Sequence, residues 1–112
     1  MGSVETFEKQ LAEFTGASYA VSVDCCTHAI ELCFRLLEIK TCSFSAYTYI
    51  SVPMTMENLN VQYEMTDQQW EGEYQFIGSN IWDSARCLKP NMYRSNQLQC
   101  LSFGPGKPLE NI

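Results

Sequence analysis

The chain lacks the close cysteine and histidine pairs of common zinc sites and the basic clusters of nucleic-acid sites. Its 112 residues include a single histidine, His28, and none of its six cysteines forms a C-x-x-C pair. Zinc sites ordinarily use such close ligand pairs, so no metal site is predicted. The chain has seven lysines and arginines and thirteen acidic residues, which gives a net charge of −6. The basic residues form no cluster in the sequence. This balance argues against nucleic acid or an anionic membrane surface as a partner.

Long apolar runs are also missing. No stretch approaches the roughly 18 residues that a membrane-spanning helix needs. The N-terminus lacks the basic and then apolar pattern of a secretory signal, so the sequence predicts a cytoplasmic protein. Hydrophobic residues make up 46% of the chain and charged residues 18%. That composition is typical of a globular chain, and residues 1–112 are long enough for one modest domain.

The hydrophobic pattern predicts helices that alternate with strands. Apolar residues at spacings of three and four follow Ser3, and Gly16 is suited to end that helix. A second helix is predicted from Thr27 to Glu38 and a third over residues 50–59. Runs rich in β-forming residues predict strands. The predicted strands cover residues 19–23, 43–47, 61–65, 75–82 and 98–103.

This alternation predicts an α/β fold with a mostly parallel sheet and flanking helices. In such sheets ligands bind beyond the carboxyl ends of the strands. Polar residues follow four of the predicted strands at these ends, so we expect them to converge on one crevice. They are Thr27, Tyr49, Asp83 and the pair Ser102 and Lys107.

The same places carry a family resemblance. Five segments, in this order, resemble the opening of the DegT/DnrJ/StrS family of pyridoxal-phosphate (PLP) dependent sugar aminotransferases. They are FEKQLAEFTGASYAV at 7–21, DCCTHAIEL at 24–32, YTYIS at 47–51, WDSAR at 82–86 and SFGPGKPL at 102–109. The resemblance implies part of the large domain of the fold-type I transferase fold. It covers about the first third of a full enzyme, so the chain is expected to be an N-terminal fragment that stops after the lysine loop.

The resemblance implies pyridoxal 5'-phosphate as cofactor and two catalytic residues. Lys107 matches the Schiff-base lysine that holds the cofactor, a role that needs a partly desolvated amine. Asp83 matches the carboxylate that keeps the pyridine nitrogen protonated. Taken alone, Lys107 is more simply a solvated loop lysine, Asp83 a helix cap and Tyr49 a packed core residue.

The remaining cofactor-binding residues also follow from the resemblance. Thr27 and the backbone of His28 open a helix whose N-terminus suits the phosphate, and Ser102 would add a hydroxyl. Tyr49 takes the place of the ring that stacks on the cofactor. Arg86 stands where glutamine or histidine usually contacts the ring hydroxyl. A second departure lies at residues 25–26, where two cysteines replace the usual Ser-Gly.

The implied reaction is transamination of a nucleotide-linked keto-sugar, with glutamate as amino donor, in sugar or polysaccharide biosynthesis. The family's active sites lie at a dimer interface, so a homodimer is expected for the full-length form. Two alternatives remain at this stage. One is a non-catalytic fragment or binding module of the same fold. The other is a thiol redox protein, which the adjacent Cys25 and Cys26 suggest. It is disfavoured because neighbouring cysteines pair only with strain and no resolving-cysteine pattern is present.

Overall fold

A computed structural model describes residues 3–102 of the chain. Three helices and five short strands make up this part. In chain order they are α1 (Ser3–Thr15), α2 (Cys26–Leu37), β1 (Thr41–Ser45), α3 (Ser51–Asn58), β2 (Gln62–Thr66), β3 (Tyr74–Gln75), β4 (Ile81–Asp83) and β5 (Leu98–Cys100). The predicted mixture of helices and strands is therefore confirmed. Within residues 3–102, no helix combines the length and the apolar character needed to cross a membrane.

The strands form two small sheets rather than one large one. In the first, β1 pairs with β2 in parallel through the crossover helix α3; in the second, β4 lies between an antiparallel β3 and a parallel β5. One antiparallel bridge, between Ser43 and Ile77, links the two sheets. Two of the three strand pairings are thus parallel, as predicted, but the sheet is smaller and more divided than the family resemblance implies.

The strand predicted over residues 19–23 does not form. Residues 19–23 have no regular secondary structure, and the side chains of Tyr19 and Val21 are 85% and 82% exposed. The Ser22 amide donates to the Glu8 side chain at 2.6 Å instead of to a neighbouring strand. The β-forming residues are present, but a strand also needs a partner backbone, and no strand in the described part of the chain lies alongside.

The strand predicted over residues 75–82 is in fact a hairpin. The backbone reverses at Gly78, whose φ of +99° is a conformation that side-chain-bearing residues rarely adopt. Ser79 closes the turn, because both its amide and its hydroxyl donate to the carbonyl of Phe76. The reversal brings Tyr74 opposite Asp83, a pairing that one continuous strand would not allow.

The hydrophobic core lies between the two sheets and α2. Phe34 and Phe44 each pack edge-on against Phe76, with ring centroids 5.1 and 5.5 Å apart, and these rings are at most 2% exposed. Aromatic pairs of this geometry add to the free energy gained by burial. The cluster fixes α2 against β4 and β5, and it therefore fixes the start of α2 beside the end of β4. Its members are Ile30, Phe34, Cys42, Phe44, Val52, Met56, Val61, Tyr74, Phe76, Ile81 and Cys100.

Candidate functional site

A pocket of about 250 Å³ opens at the carboxyl ends of β1 and β4. Its lining residues come from the loop after β1, the loop before β3, β3 itself and the end of β4. They are Tyr47, Thr48, Tyr49, Trp70, Tyr74, Asp83, Ala85 and Arg86. The volume lies just below the usual range for small-molecule sites, roughly 300–1,000 Å³. The sequence predicted a crevice at strand ends, and this pocket contains three of the predicted residues, Tyr49, Asp83 and Arg86.

Asp83 is the buried acid of this pocket, and it is only 8% exposed. Its Oδ2 accepts a 2.7 Å hydrogen bond from the Tyr74 hydroxyl, and its Oδ1 accepts one from the Ala85 amide at 3.1 Å. The Cys26 Sγ lies 3.7 Å from Oδ1. Residues 84–88 are not helical, so the bond to Ala85 forms a local Asx turn and not a helix cap. These contacts hold the carboxylate in place where it lines the pocket.

Tyr74 is the hydrogen-bond donor that sequence reasoning missed. Burial raises the pKa of its hydroxyl above the usual value, and the adjacent Asp83 carboxylate raises it further. The hydroxyl therefore remains a donor across the ordinary pH range. Its only signal in the sequence is its position opposite Asp83 in the hairpin, and that register cannot be read without the turn at Gly78.

Tyr49 and Arg86 form a polar pair at the exposed side of the pocket. Arg86 Nη2 donates to the Tyr49 hydroxyl at 2.6 Å, and the guanidinium carbon lies 6.0 Å from the centroid of the tyrosine ring. Tyr49 is 58% exposed, so it is not the packed core residue that a lone tyrosine would predict. A cation and an aromatic ring therefore line the same pocket as the buried carboxylate.

Thr27 and His28 lie at the start of α2, beside the pocket but outside its lining. The Thr27 hydroxyl donates to Ser51 Oγ at 3.4 Å. Cys25 occupies the cap position and makes no side-chain cap hydrogen bond. The amides of a helix's first turn have no acceptor within the helix, so this end suits an anion. The Cys26–Asp83 contact places it within a few ångströms of the pocket.

The His28 side chain points to a different set of groups. Its Nδ1 lies 2.6 Å from Asp24 Oδ1, and the hydrogen bond raises the pKa of His28 and lowers that of Asp24. With the Cys25 thiol, possible metal-ligand atoms of these three residues lie within 4.8 Å of one another. All three residues are exposed. The Asp24–His28 bond accounts for their arrangement, and we assign no metal to it.

Ser102 is not part of the lining of this pocket. It lines a larger apolar trough of about 810 Å³, together with Cys25 and Cys26 at the start of α2. Lys107 lies outside the described residues, so its role stays a prediction. The structure thus brings Tyr49, Asp83 and Arg86 together, holds Thr27 and His28 nearby, and leaves Ser102 in the adjoining trough.

Comparison with known proteins then decides the family. The sequence profile of the DegT/DnrJ/EryC1/StrS aminotransferase family matches residues 2–70, which is more than half of the chain. The chain belongs to this family. The matched residues run from α1 to the loop after β2 and include Thr27, His28 and Tyr49, but they end before Asp83. No curated protein and no solved structure matches the chain.

Membership confirms the resemblance read from the sequence and supports transamination as the general class of reaction. The profile match covers three of the five segments that carried the resemblance. The two that contain Asp83 and Lys107 rest on the sequence and, for Asp83, on the geometry of the pocket.

Proposed function

We propose that this DegT-family chain provides the PLP-binding site of a sugar aminotransferase, with Asp83 as the partner of the pyridine nitrogen. One observation carries the proposal: a buried carboxylate at the end of β4 shares a small pocket with the aromatic ring and the cation at positions 49 and 86. When bound, PLP supplies the electron sink that stabilises negative charge at the substrate carbon.

The pocket contains three groups that suit PLP: a carboxylate, an aromatic ring and a cation. Asp83 would hold the proton on the ring nitrogen, because a carboxylate stabilises the protonated form. Tyr74 and the Ala85 amide keep that carboxylate in one orientation. The Tyr49 ring offers an apolar face for stacking. Arg86 would place positive charge beside the ring hydroxyl, where relatives use glutamine or histidine.

The phosphate group of the cofactor would bind at the start of α2. First-turn amides and the positive end of the helix dipole favour a phosphate there. Thr27 would add a hydroxyl, and Ser102 another from the trough side. The two cysteines in place of Ser-Gly put larger side chains beside this position. The Cys26 thiol contacts Asp83 Oδ1, at 3.7 Å.

Lys107 would hold the cofactor covalently and move a proton at the substrate carbon. Support for this comes from its position in the segment SFGPGKPL, which resembles the family's lysine loop. The proposed amino donor is glutamate and the proposed acceptor a nucleotide-linked keto-sugar. A homodimer in the cytoplasm is the proposed working form, since relatives build the sugar site from two subunits.

Tryptophan fluorescence tests cofactor binding directly. Trp70 lines the pocket, where its indole N–H donates to the Tyr47 carbonyl at 2.9 Å, whereas Trp82 is stacked under Arg94 and is not part of the lining. PLP should quench the emission saturably, and the quenching should be lost in Trp70→Phe. Pyridoxal without the phosphate is the control and should bind more weakly. Absence of saturable quenching in the wild-type chain contradicts the proposal.

Amino transfer separates the catalytic from the non-catalytic interpretation. The PLP-loaded chain is mixed with glutamate, and 2-oxoglutarate is measured in a single turnover. One equivalent of 2-oxoglutarate per bound cofactor supports the aminotransferase. Binding of PLP without any 2-oxoglutarate instead supports a binding module of the same fold.

A further inference from the structure

Two cysteines that are far apart in the sequence meet between α2 and β5. The Sγ atoms of Cys33 and Cys100 are 3.9 Å apart, although the residues are separated by 67 positions. Cys33 lies on the face of α2 that packs against the core, and Cys100 ends β5. Both are free thiols. The sequence contains no cysteine spacing that predicts this contact.

The two thiols differ in how solvent reaches them. Cys100 is only 4% exposed, whereas Cys33 is partly exposed, and both line the 810 Å³ trough. A small reagent in the trough can therefore reach Cys33 first. The buried thiol directly behind it is then placed to attack whatever bond forms on Cys33.

The pKa values of the two thiols differ in the same sense as their exposure, with the lower value at the more exposed Cys33. The hydrogen bond from Cys100 lowers the pKa of the Cys33 thiol, against the opposing effect of burial. The same bond raises the pKa of Cys100, and burial raises it further. Because the thiolate is the nucleophile in exchange reactions, the more exposed cysteine is also the better attacking group.

We propose that Cys33 and Cys100 form a reversible disulfide by exchange with a low-molecular-weight disulfide such as glutathione disulfide. The Cys33 thiolate attacks one sulfur of the reagent and forms a mixed disulfide, and one glutathione leaves as a thiolate that takes up a proton. Cys100 then loses its proton, attacks the Cys33 sulfur and displaces the second glutathione. The two protein thiols are oxidised, and one glutathione disulfide is reduced to two glutathione molecules.

The bond would link α2 to the strand beside the candidate site. Cys100 is the register partner of Asp83 in the parallel pair β4–β5, and the Ser84 amide donates to the Cys100 carbonyl at 2.8 Å. A disulfide requires the two sulfurs to approach to about 2.05 Å, so α2 and the end of β5 must close slightly. The crosslink would restrain both elements that flank the buried carboxylate.

Peptide mapping of the oxidised full chain tests the proposal. The folded protein is incubated with glutathione disulfide, remaining thiols are blocked with N-ethylmaleimide, and the chain is cleaved after glutamate and arginine without reduction. This cleavage isolates Cys33 in residues 32–35 and Cys100 in residues 95–110, apart from the other four cysteines. The expected product is one crosslinked peptide pair that lacks two hydrogens and that separates on reduction.

Two variants complete the test. Cys33→Ser should lose the crosslink and leave Cys100 unmodified until the chain is unfolded, because the attacking thiol is gone. Cys87→Ser, at a buried cysteine on the loop after β4, is the matched control and should give the wild-type yield. A dominant crosslink between any other pair overturns the proposal. So does recovery of Cys33 as a stable glutathione adduct without the crosslink, which would mean that Cys100 cannot reach it. Both readouts are independent of PLP binding and of transamination.

Discussion

The Tyr74 hydroxyl donates a 2.7 Å hydrogen bond to Asp83 Oδ2 across the antiparallel pair β3–β4. Both side chains are buried and have lost their hydrogen bonds to water. The bond between them replaces those lost hydrogen bonds for the hydroxyl and for the carboxylate. The tyrosine ring also packs against Trp70 and Phe76. One residue therefore connects the hydrophobic core to the acid of the candidate site.

Replacing Tyr74 by phenylalanine removes this donor and keeps the ring. The free energy of unfolding should fall by about 1–3 kcal/mol, because a buried charged acceptor loses a partner. Urea denaturation measures the change. Tyr63→Phe is the matched control: its hydroxyl donates to the exposed side chain of Glu57 at 2.8 Å. An equal loss of stability in the two variants would contradict the special role of Tyr74.

The raised pKa of the Tyr74 hydroxyl predicts that the folded chain loses stability at alkaline pH. The pKa of Tyr74 is raised in the folded chain, while an unfolded tyrosine titrates near pH ~10. The Tyr74 hydroxyl therefore makes its full contribution to the free energy of unfolding below about pH 10. That contribution is lost as the pH rises further, because Tyr74 then ionises in the unfolded chain but not in the folded one. Urea midpoints measured from pH 8 to 11 should fall more steeply for wild type than for Tyr74→Phe. Parallel curves would contradict the shift.

The lowered pKa of Glu73 predicts that the folded chain loses stability at acid pH. Burial disfavours its charge, but hydrogen bonds from Arg94 at 3.1 Å and from Ser84 at 2.7 Å hold the pKa of Glu73 below its usual value. The charge of Glu73 therefore contributes to the free energy of unfolding above pH ~4.3, the pKa of a glutamate in the unfolded chain. This contribution is lost as the pH falls through the lower pKa that Glu73 has in the folded chain.

Glu73→Gln should therefore destabilise the chain by about 1–2 kcal/mol at pH 7 and by less at pH ~3. Urea unfolding at the two pH values measures the difference. Glu31→Gln is the control, because Glu31 pairs with Arg35 on the exposed surface of α2 and such pairs contribute less than ~1 kcal/mol. A pH-independent loss in Glu73→Gln would show that the lost contacts matter and the charge does not.

Asp83→Asn tests the proposed contact with the pyridine nitrogen. The amide keeps the size of the side chain but cannot hold a proton on the ring. PLP binding should persist, while the rate of 2-oxoglutarate formation should fall by about a hundredfold or more, as expected when a proton-holding group is lost. Single-turnover kinetics measure the rate, and Trp70 fluorescence measures the binding. A rate close to wild type would contradict the assignment of Asp83.

The helices were readable from the sequence because their signals are local. The apolar residues Phe7 and Leu11 repeat at helical spacing, and Gly16 ends α1 with a φ of +85°. The crossover from β1 through α3 to β2 was also predicted, within one or two residues at each boundary. In these segments the residues that decide the structure lie within one turn or one strand of each other.

The errors come from contacts between distant segments. The residues around Val21 have strand-like composition, but a strand requires a partner that the described chain does not provide. The division of residues 75–82 depends on one left-handed residue, Gly78. The hydrogen bond from Tyr74 to Asp83 and the sulfur contact between Cys33 and Cys100 both depend on how the segments pack. No spacing rule in a single sequence predicts such pairs.

Covalent attachment of PLP at Lys107 tests the central claim most directly. The chain is treated with PLP, reduced with borohydride, digested and mapped by mass spectrometry. The chain has four lysines, Lys9, Lys40, Lys89 and Lys107. We expect the label on Lys107, and we expect it to disappear in Lys107→Ala. Equal labelling of all four lysines, or an unchanged yield in Lys107→Ala, would contradict the account.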